Sequence, residues 1–337
     1  MGSLEKSPGA PQSRGMKLRH RECQELLKER FGEALLEDEL LSKHTSFKIG
    51  GPADWFLPAR SILELLDAIK IARACNANHL ILGGGSNILV GDNGVRELVI
   101  KNECDGYLVD GETIAAETGM TLDRLVDISQ DLSLSGLEFA AGIWGTVGGA
   151  VCGNAGAFGG SISDILTRAV ICADDDQVKC VDRRYFNFQY RHSCLKDSGD
   201  LVMTASFKLK RGDSSEIKGK IKEHRNIRAG KHPVDLPSAG SFFKNFKDPN
   251  IGGNLTAAGW YLEQVGAHEF LMGDAAVFPK HANIFINYGN ATACDVVALA
   301  AELKKRVFAR FGLSLQMEVR AVGDFGPCRE LLNSILI

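Results

Sequence analysis

The sequence predicts an α+β fold divided into two or three domains. Its 337 residues exceed what a single hydrophobic core usually holds. The predicted strands and helices do not alternate strictly, which disfavours a doubly wound parallel sheet. The chain also contains no GxGxxG fingerprint, so a Rossmann domain is disfavoured as well.

The elements up to residue 131 follow from apolar spacing and capping signals. Apolar residues recur at helical spacing over residues 18–41, which predicts a helix with a break near Gly32. Ser61 and Glu64 form a capping box for the next helix. The remaining elements are two strands about a turn at 45–57, strands at 79–82, 97–101, 107–109 and 113–116, and a helix at 121–131.

Beyond a glycine-rich block the same signals predict more strands and two long helices. The strands are at 168–173, 177–182, 201–210, 283–287 and 315–322, and the helices at 215–229 and 292–311. The charged helix 215–229 is interpreted as a linker to a last domain. Gly312 is expected to end the second helix.

Composition and charge exclude several classes of protein. A net charge of −3 argues against nucleic acid as a partner. Nine scattered cysteines without a CxxC pair indicate reduced thiols in a cytosol, not a disulfide framework or a zinc site. The polar segment Met1–Arg21 is expected to be a loose leader, because it lacks the apolar core of a signal peptide. Residues 139–163 are uncharged, but their eight glycines disfavour a membrane span.

Two glycine-rich loops are candidate ligand sites. Gly83-Gly84-Gly85-Ser86-Asn87 follows a predicted strand, and successive glycines let main-chain N–H groups face an anion. A tight turn is the alternative, and the spacing excludes a P-loop. The block from Gly142 to Gly159 is too rich in glycine for a regular helix and suits a flat or phosphorylated ligand. A flexible linker fits this block poorly, since it would leave Trp144 and Phe158 in water.

A third segment, Ser238 to Asn245, combines hydroxyl groups, a glycine, two phenylalanines and a lysine-asparagine pair. Phe242 and Phe243 are suited to anchor it in a core, while Lys244 and Asn245 offer donors for a phosphate. Without further signals, a polar turn that leads into a buried edge strand is the alternative interpretation.

Six segments, taken together in order and spacing, resemble the UDP-N-acetylenolpyruvoylglucosamine reductase family. They are Thr45–Ala53, Gly83–Gly85, Gly142–Gly159, Tyr190–Ser193, the segment around Ser241, and Glu318–Arg320. The resemblance runs from about residue 42 to about residue 324. It implies a flavoenzyme that uses NADPH to complete UDP-N-acetylmuramate for peptidoglycan synthesis, cell-wall biogenesis and cell division.

The resemblance also implies the fold, the cofactor and the domain limits. The fold is a two-part FAD-binding region of the vanillyl-alcohol-oxidase (PCMH) type followed by a substrate domain. The expected limits are a leader and helix at 1–41, an FAD-binding region at 42–212 that divides near 105, a substrate domain at 213–325, and a tail at 326–337. FAD is expected to be bound non-covalently by Gly83, Gly84, Gly85, Ser86, Asn87, Gly142, Thr146, Gly148, Gly149, Asn154 and Gly156.

The short interval between Arg191 and Ser241 resembles the compact variety of the family, which lacks an inserted loop bearing a substrate-binding tyrosine. Two residues depart from the family pattern. Trp144 stands where a proline is usual in the flavin loop, and Phe246 replaces the proline expected after Asn245.

Three residues match the family's catalytic groups. Arg191 would bind the substrate carboxylate, Glu318 would donate a hydrogen bond to the enolate while protonated, and Ser241 would donate the proton. The pattern alone favours other interpretations, a surface cation on the Tyr190 ring for Arg191 and a solvated strand face for Glu318. By the same resemblance, the substrate would be held by Tyr190, Lys231 and Asn245.

Two other functions remain open at this point. One is a different FAD oxidoreductase of the same superfamily, and the other is a non-catalytic nucleotide-sugar binding module. The expected partners are the UDP-sugar and NADPH, with no nucleic acid, no metal and no membrane insertion. The expected location is the cytoplasm.

Overall fold

We describe the fold from a computed structural model, in which residues 12–247 and 255–336 are described. Three sheets, each with its own hydrophobic core, follow one another along the chain. No helix within these residues is both long and apolar enough to cross a bilayer.

The first sheet has the strand order β1-β2-β5-β3, with β1 antiparallel to β2 and the other neighbours parallel. Leu27, Leu65 and Ile100 belong to the core between this sheet and its two helices. Ser61 caps the second helix by accepting from Glu64 N, as predicted. The elements are α1 (Gln12–Phe31), β1 (Leu36–Leu40), β2 (Pro52–Ala59), α2 (Ile62–Ala74), β3 (His79–Leu82), β4 (Ile88–Val90) and β5 (Val95–Asn102).

The second sheet is antiparallel throughout, with the order β12-β11-β13-β7-β6. Its core includes Ile217 and Ile221 of α6, so this helix packs on the second sheet instead of spanning open space as a linker. The elements are β6 (Tyr107–Asp110), β7 (Thr113–Glu117), α3 (Leu122–Asp131), β8 (Leu134–Ser135), α4 (Val147–Cys152), β9 (Gly156–Ala157), β10 (Gly160–Ser161), α5 (Ile162–Ile165), β11 (Leu166–Cys172), β12 (Val178–Asp182), β13 (Leu201–Lys208), β14 (Lys210–Arg211) and α6 (Ser214–Lys231).

The third sheet is also antiparallel, with the order β15-β20-β19-β18. Phe242, Phe243 and Phe285 lie in its core with one face of the long helix α8. The elements are β15 (Ser238–Ser241), β16 (Phe246–Lys247), β17 (Leu255–Thr256), α7 (Ala258–Gln264), β18 (Leu271–Met272), β19 (Ala275–Val277), β20 (Ile284–Asn287), α8 (Ala293–Phe311), β21 (Arg320–Val322) and α9 (Arg329–Leu336).

Several contacts join the first and third regions, and two of them place parts of the site. Strand β21 pairs in parallel with β4, so Arg320 lies beside Ile88. The carboxylate of Asp92 accepts from the main-chain N–H groups of Ala293 and Cys294 at 2.7 and 3.1 Å, at the start of α8. A carboxylate is favourable there because the first N–H groups of a helix lack partners within the helix.

The structure differs from the sequence-based expectations in the first 40 residues of the chain. The first helix begins at Gln12, inside the expected loose leader, whose residues 1–11 lie outside the described part. It ends at Phe31, at the expected break near Gly32, but residues 36–40 of the predicted helix form β1. Pairing with β2 decides that outcome, and tertiary pairing of this kind overrides local propensity.

Two further expectations are corrected. Of the predicted strand 315–322, only Arg320–Val322 is regular strand, while Met317 forms an isolated bridge with Phe243. The expectation that all cysteines are reduced is wrong for Cys294 and Cys328, which form a disulfide with their Cα atoms 5.5 Å apart. Their 34-residue separation gave no signal of this contact, because it depends on how the chain returns past the start of α8.

Candidate active site

Arg191 lies in a tight turn of the connection between β12 and β13, two strands of the second sheet. The main-chain groups of Gln189 and His192 exchange two hydrogen bonds, and Arg191 has a φ of +56°. This left-handed conformation is uncommon for a residue other than glycine, asparagine or aspartate. The turn is held from the glycine block, since Asn154 Nδ2 donates to Gln189 O at 3.0 Å and Arg191 Nη1 donates to Gly156 O at 3.1 Å.

Glu318 lies on an extended segment that has partners on both sides. Its main-chain N–H donates to Phe242 O at 2.8 Å, and its carbonyl accepts from Asn87 Nδ2 at 3.2 Å. Leu315 and Val319 are buried, and Glu318 points to the other face, as the predicted alternation requires. The segment therefore brings a carboxyl group between the first glycine loop and the Ser241 segment.

Arg191 and Glu318 form an ion pair. Arg191 Nε lies 2.7 Å from Glu318 Oε1, and both side chains are mostly shielded from solvent. The contact is an ion pair without an aligned hydrogen bond, because the Nε–H does not point at an acceptor. Burial raises the pKa of Glu318, while the cations of Arg191, Lys196 and Lys244 oppose that shift. Burial prevails, so this carboxyl group is easier to protonate than an ordinary glutamate.

Ser241 lies at the end of β15, in an irregular part of the ladder. Ser238 pairs with Ile286 and Ser241 with Ile284, and the register shifts between the two pairs. Gly240 has a φ of +74°, a conformation that glycine adopts at little cost. Its position would face open space even with a side chain, so the main chain beside Ser241 is accessible to a ligand.

Asn283 holds the Ser241 segment and was not assigned a site role from the sequence. Its Oδ1 accepts from Phe243 N at 2.9 Å, and its Nδ2 donates to Phe243 O at 2.8 Å. The sequence left Asn283 open between a cavity-facing and a structural role. The structure places both polar atoms of its side chain on the main chain of Phe243.

The residues predicted to bind substrate are Tyr190, Asn245 and Lys231. Tyr190 is adjacent to Arg191, whose guanidinium carbon is 5.4 Å from the centre of the ring. Burial raises the pKa of Tyr190, and the main-chain N–H of Asn245 opposes that shift. Asn245 also caps α7, since its Oδ1 accepts from Ala258 N at 3.1 Å. Lys231 is the last residue of α6 and is exposed.

The basic residues at the end of α6 carry less positive charge than the sequence indicates. They are Arg225, Arg228, Lys231 and the C-cap residue His232. Arg225 forms ion pairs with Asp123 and Asp127 at 2.9 and 2.6 Å. Burial, together with Arg228 and His281, lowers the pKa of His232 to about 4, so His232 is neutral at pH 7. Much of the positive field near the site therefore comes from the arginine and lysine side chains that remain.

The two glycine-rich loops lie directly against each other. A Cβ at Gly83 would be 2.5 Å from Thr146 Oγ1, and one at Gly84 would be 2.8 Å from Gly145 Cα. Neither residue can carry a side chain while the loops keep this separation. Ser86 Oγ fixes the contact by donating to Trp144 O at 2.9 Å.

The second glycine block is anchored by side chains from neighbouring helices. Arg228 Nε donates to Gly142 O at 2.8 Å, and Asp123 accepts from Gly142 N at 3.0 Å. Thr146 caps α4 by accepting from Gly149 N, and Gly148 N donates to Thr118 O. Sequence patterns gave no sign that α3 and α6 hold this block, because both anchors lie far from it along the chain.

The loops fit a cofactor that carries a diphosphate. The main-chain hydrogen bonds of the described residues include none donated by Gly84, Gly85 or Ser86. Gly85 is buried and has a φ of +63°, which turns successive N–H groups to one side. Since buried N–H groups are almost always paired in native proteins, the Gly85 donor suits a phosphate oxygen of a bound FAD, and the more accessible N–H groups of Gly84 and Ser86 lie beside it in the loop.

Two family models match the chain. One is described as an FAD binding domain and matches residues 53–180. The other is described as the C-terminal domain of UDP-N-acetylenolpyruvoylglucosamine reductase and matches residues 232–322. With the paired glycine loops, these matches define an FAD-dependent oxidoreductase that has a second, C-terminal domain.

Individual relatives identify the family. The UDP-N-acetylenolpyruvoylglucosamine reductase of Pediococcus pentosaceus is 38% identical over 291 residues, which are 86% of this chain and 95% of the relative. That of Agathobacter rectalis is 39% identical over 306 residues, with the same coverage. The crystal structure of MurB from Thermus caldophilus has a TM-score of 0.70 and 32% identity, and covers 85% of this chain and 98% of the other. The chain belongs to the UDP-N-acetylenolpyruvoylglucosamine reductase family, and the predicted family and α+β fold with an FAD-binding region are confirmed.

Proposed function

We propose that this protein uses NADPH to reduce UDP-N-acetyl-3-O-(1-carboxyvinyl)-glucosamine to UDP-N-acetylmuramate, a peptidoglycan precursor, with non-covalent FAD as cofactor. The observation that carries the proposal is the ion pair between Arg191 Nε and Glu318 Oε1, which are 2.7 Å apart. Glu318 lies on the extended segment that is hydrogen-bonded to Phe242, next to Ser241. A cation and a carboxyl group of raised pKa in contact are what reduction of an enolpyruvyl ether needs.

Arg191 and Glu318 would manage the negative charge of this reaction. The chemistry that FAD supplies when bound is hydride transfer from NADPH to the terminal carbon of the enolpyruvyl group. As that carbon gains hydride, negative charge passes into the substrate carboxylate. The Arg191 guanidinium would bind this carboxylate by two parallel hydrogen bonds and stay charged throughout. Protonated Glu318 would donate a hydrogen bond to the enolate oxygen, and its raised pKa supports this protonation state.

Ser241 would complete the reaction by giving its hydroxyl proton to the carbon next to the carboxylate. A serine hydroxyl is a weak acid, so the proton must be replaced from water or a neighbouring cation such as Lys244. Phe242 links Ser241 to Glu318. It directly follows Ser241 in the chain, and its carbonyl accepts a hydrogen bond from Glu318 N. This arrangement supports delivery of the proton and stabilisation of the enolate from adjacent strands.

The substrate diphosphate would be held by Lys231 and Asn245, and the sugar side of the site by Tyr190. The influence of the Asn245 N–H on the pKa of Tyr190 supports a shared role for these two residues. The domain limits given above and a cytoplasmic location, where the nucleotide precursor and NADPH meet, belong to the same proposal.

Two measurements test the proposed function. The purified protein should be yellow, and heat or acid should release FAD into the supernatant; recovery of FMN, or colour that stays with the precipitate, would contradict non-covalent FAD. Under anaerobic conditions, NADPH should bleach the flavin absorption, and the enolpyruvyl substrate should then restore it. A colourless protein would favour a nucleotide-sugar binding module. Bleaching without restoration would favour another FAD oxidoreductase.

A further inference from the structure

Lys196 contacts the turn that carries Arg191. It ends a short 3₁₀ helix, Cys194–Lys196, that follows the turn directly. Its Nζ donates to the main-chain oxygen of Arg191 at 2.7 Å. Although the residue as a whole is exposed, burial of the ammonium group lowers the pKa of Lys196. The hydrogen bond therefore directs the amine at the main chain of Arg191.

The hydrogen bond from Lys196 restrains Arg191, whose backbone conformation is strained. Arg191 has a φ of +56°, and its carbonyl is the group that moves if the turn relaxes to an ordinary conformation. Ser193 Oγ, on the same loop, donates to Cys152 O at 2.7 Å. Lys196 and Ser193 thus hold the chain just after Arg191, while Asn154 holds it just before.

Lys196 also acts on Glu318 through its charge. The charged and titratable groups that face Glu318 are Arg191, Lys196 and Lys244, and the Tyr190 phenol lies on the same side. Lys196 in turn faces Cys152, Lys244, Glu318 and Arg320. A cation in this position favours the ionised carboxylate and so limits how far burial raises the pKa of Glu318.

We propose that Lys196 is a positioning residue for the reduction: its ammonium group fixes the main chain of Arg191 so that the guanidinium meets the substrate carboxylate. This role rests on the proposed function. It requires no contact between Lys196 and substrate or cofactor.

Three substitutions separate the contact from the charge. Lys196→Met removes both, Lys196→Gln keeps a donor without the charge, and Lys196→Arg keeps both. Lys304→Met is a matched control, because Lys304 Nζ also donates to a main-chain oxygen, that of Ile335 at 3.0 Å, and burial also lowers the pKa of Lys304. Lys304 lies on α8, away from the turn.

The holoenzyme variants are compared in anaerobic stopped-flow experiments. In Lys196→Met, flavin reduction by NADPH should stay within about twofold of wild type, while reoxidation by substrate should slow roughly 10–100-fold, as expected for a misplaced substrate-binding group. Calorimetry should show weaker substrate binding. Lys196→Arg should recover most of both losses, and Lys304→Met should match wild type.

The pH profile distinguishes positioning from a purely structural role. Reoxidation should fall as the pH rises through the pKa of Glu318, because the protonated form is the donor. Removing a cation raises that pKa, so in Lys196→Met and Lys196→Gln the alkaline limb should move upward by up to about one pH unit. Lys196→Gln should recover part of the reoxidation rate, because the glutamine amide can still donate to Arg191 O. It should not return the alkaline limb of the pH profile to its wild-type position, because it carries no charge.

The proposal is overturned if Lys196→Met matches Lys304→Met in reoxidation rate and in pH limb. It is also overturned if Lys196→Met slows both half-reactions equally or loses flavin, since that pattern indicates general disturbance. If wild type itself is not reoxidised by the enolpyruvyl substrate, the proposed function fails, and the role of Lys196 fails with it.

Discussion

Two of the three proposed reacting groups, Ser241 and Arg191, lie in segments that are held in different ways. Ser241 belongs to a segment whose neighbours Phe242 and Phe243 are 1% and 0% exposed, with pairing partners on both sides. Arg191 belongs to a turn that is held mainly by side-chain hydrogen bonds to main-chain oxygens. Close packing fixes atoms more firmly than polar contacts at a partly exposed turn. The proposed proton donor is thus set rigidly, while the proposed cation can adjust to its ligand.

The largest expected effect tests the rigid segment. Ser241→Ala should leave flavin reduction by NADPH near its normal rate, because no proton from Ser241 enters that step. Reoxidation by substrate should slow by about 10²–10⁴-fold, as expected for loss of a positioned acid. Ser241→Cys, with a more acidic thiol, should recover part of the rate. Equal slowing of both half-reactions would indicate a disturbed site, and no change would transfer the role to Glu318.

The next effect tests the adjustable turn. Arg191→Lys should retain flavin but slow reoxidation by about 100-fold, since an ammonium group cannot match two-point contact with a carboxylate. Arg124→Lys, at a surface ion pair with Asp105, is the control and should be neutral. Reoxidation near the wild-type rate in Arg191→Lys would show that Arg191 is only structural.

Asn283→Ala tests whether packing alone holds the Ser241 segment. It leaves the N–H and C=O of Phe243 without side-chain partners, which should lower the free energy of unfolding by about 2–3 kcal/mol in chemical denaturation. Asn287→Ala, a buried amide at the other end of the same strand, should destabilise similarly. Only Asn283→Ala should also slow reoxidation. Equal activity in the two variants would mean that Asn283 does not position Ser241.

The smallest effect concerns substrate grip. Lys231→Ala should raise KM for the UDP-sugar about tenfold with little change in kcat, because a diphosphate contact is made equally in the ground state and the transition state. Lys220→Ala, on the exposed face of the same helix, is the control. A fall in kcat at constant KM would place Lys231 with the catalytic groups instead.

Elements with local signals were predictable from the sequence. The helix that begins after Thr292 has a complete capping box with Asp295 and ends at Gly312 with a φ of +69°, as expected. The strand at His79–Leu82 is present at its predicted limits. These signals arise from residues that are close in the chain, so they can be recognised in the sequence without knowledge of the fold.

Features that depend on distant contacts were not predictable from residue patterns. Strand β1 forms because β2 pairs with it, and the Cys294–Cys328 disulfide forms because the chain returns past the start of α8. That Arg191 and Glu318 belong to one site was expected only through the family resemblance, and their ion pair was not expected at all. The structural role of Asn283 gave no signal that decided it, because its partner is the main chain of Phe243.

The pairing of β21 with β4 has a consequence for synthesis and folding. Asn87 of the first glycine loop and Glu318, whose carbonyl it binds, are 231 residues apart in the chain. A contact of such sequence separation forms late, because the entropy of closing a long loop is lost before the contact stabilises the chain. During translation the amino-terminal sheet emerges first, yet its glycine loop lacks this neighbour until the last sheet has been made. A chain that stops before residue 318 therefore lacks the partner that Asn87 of the first glycine loop binds in the complete fold.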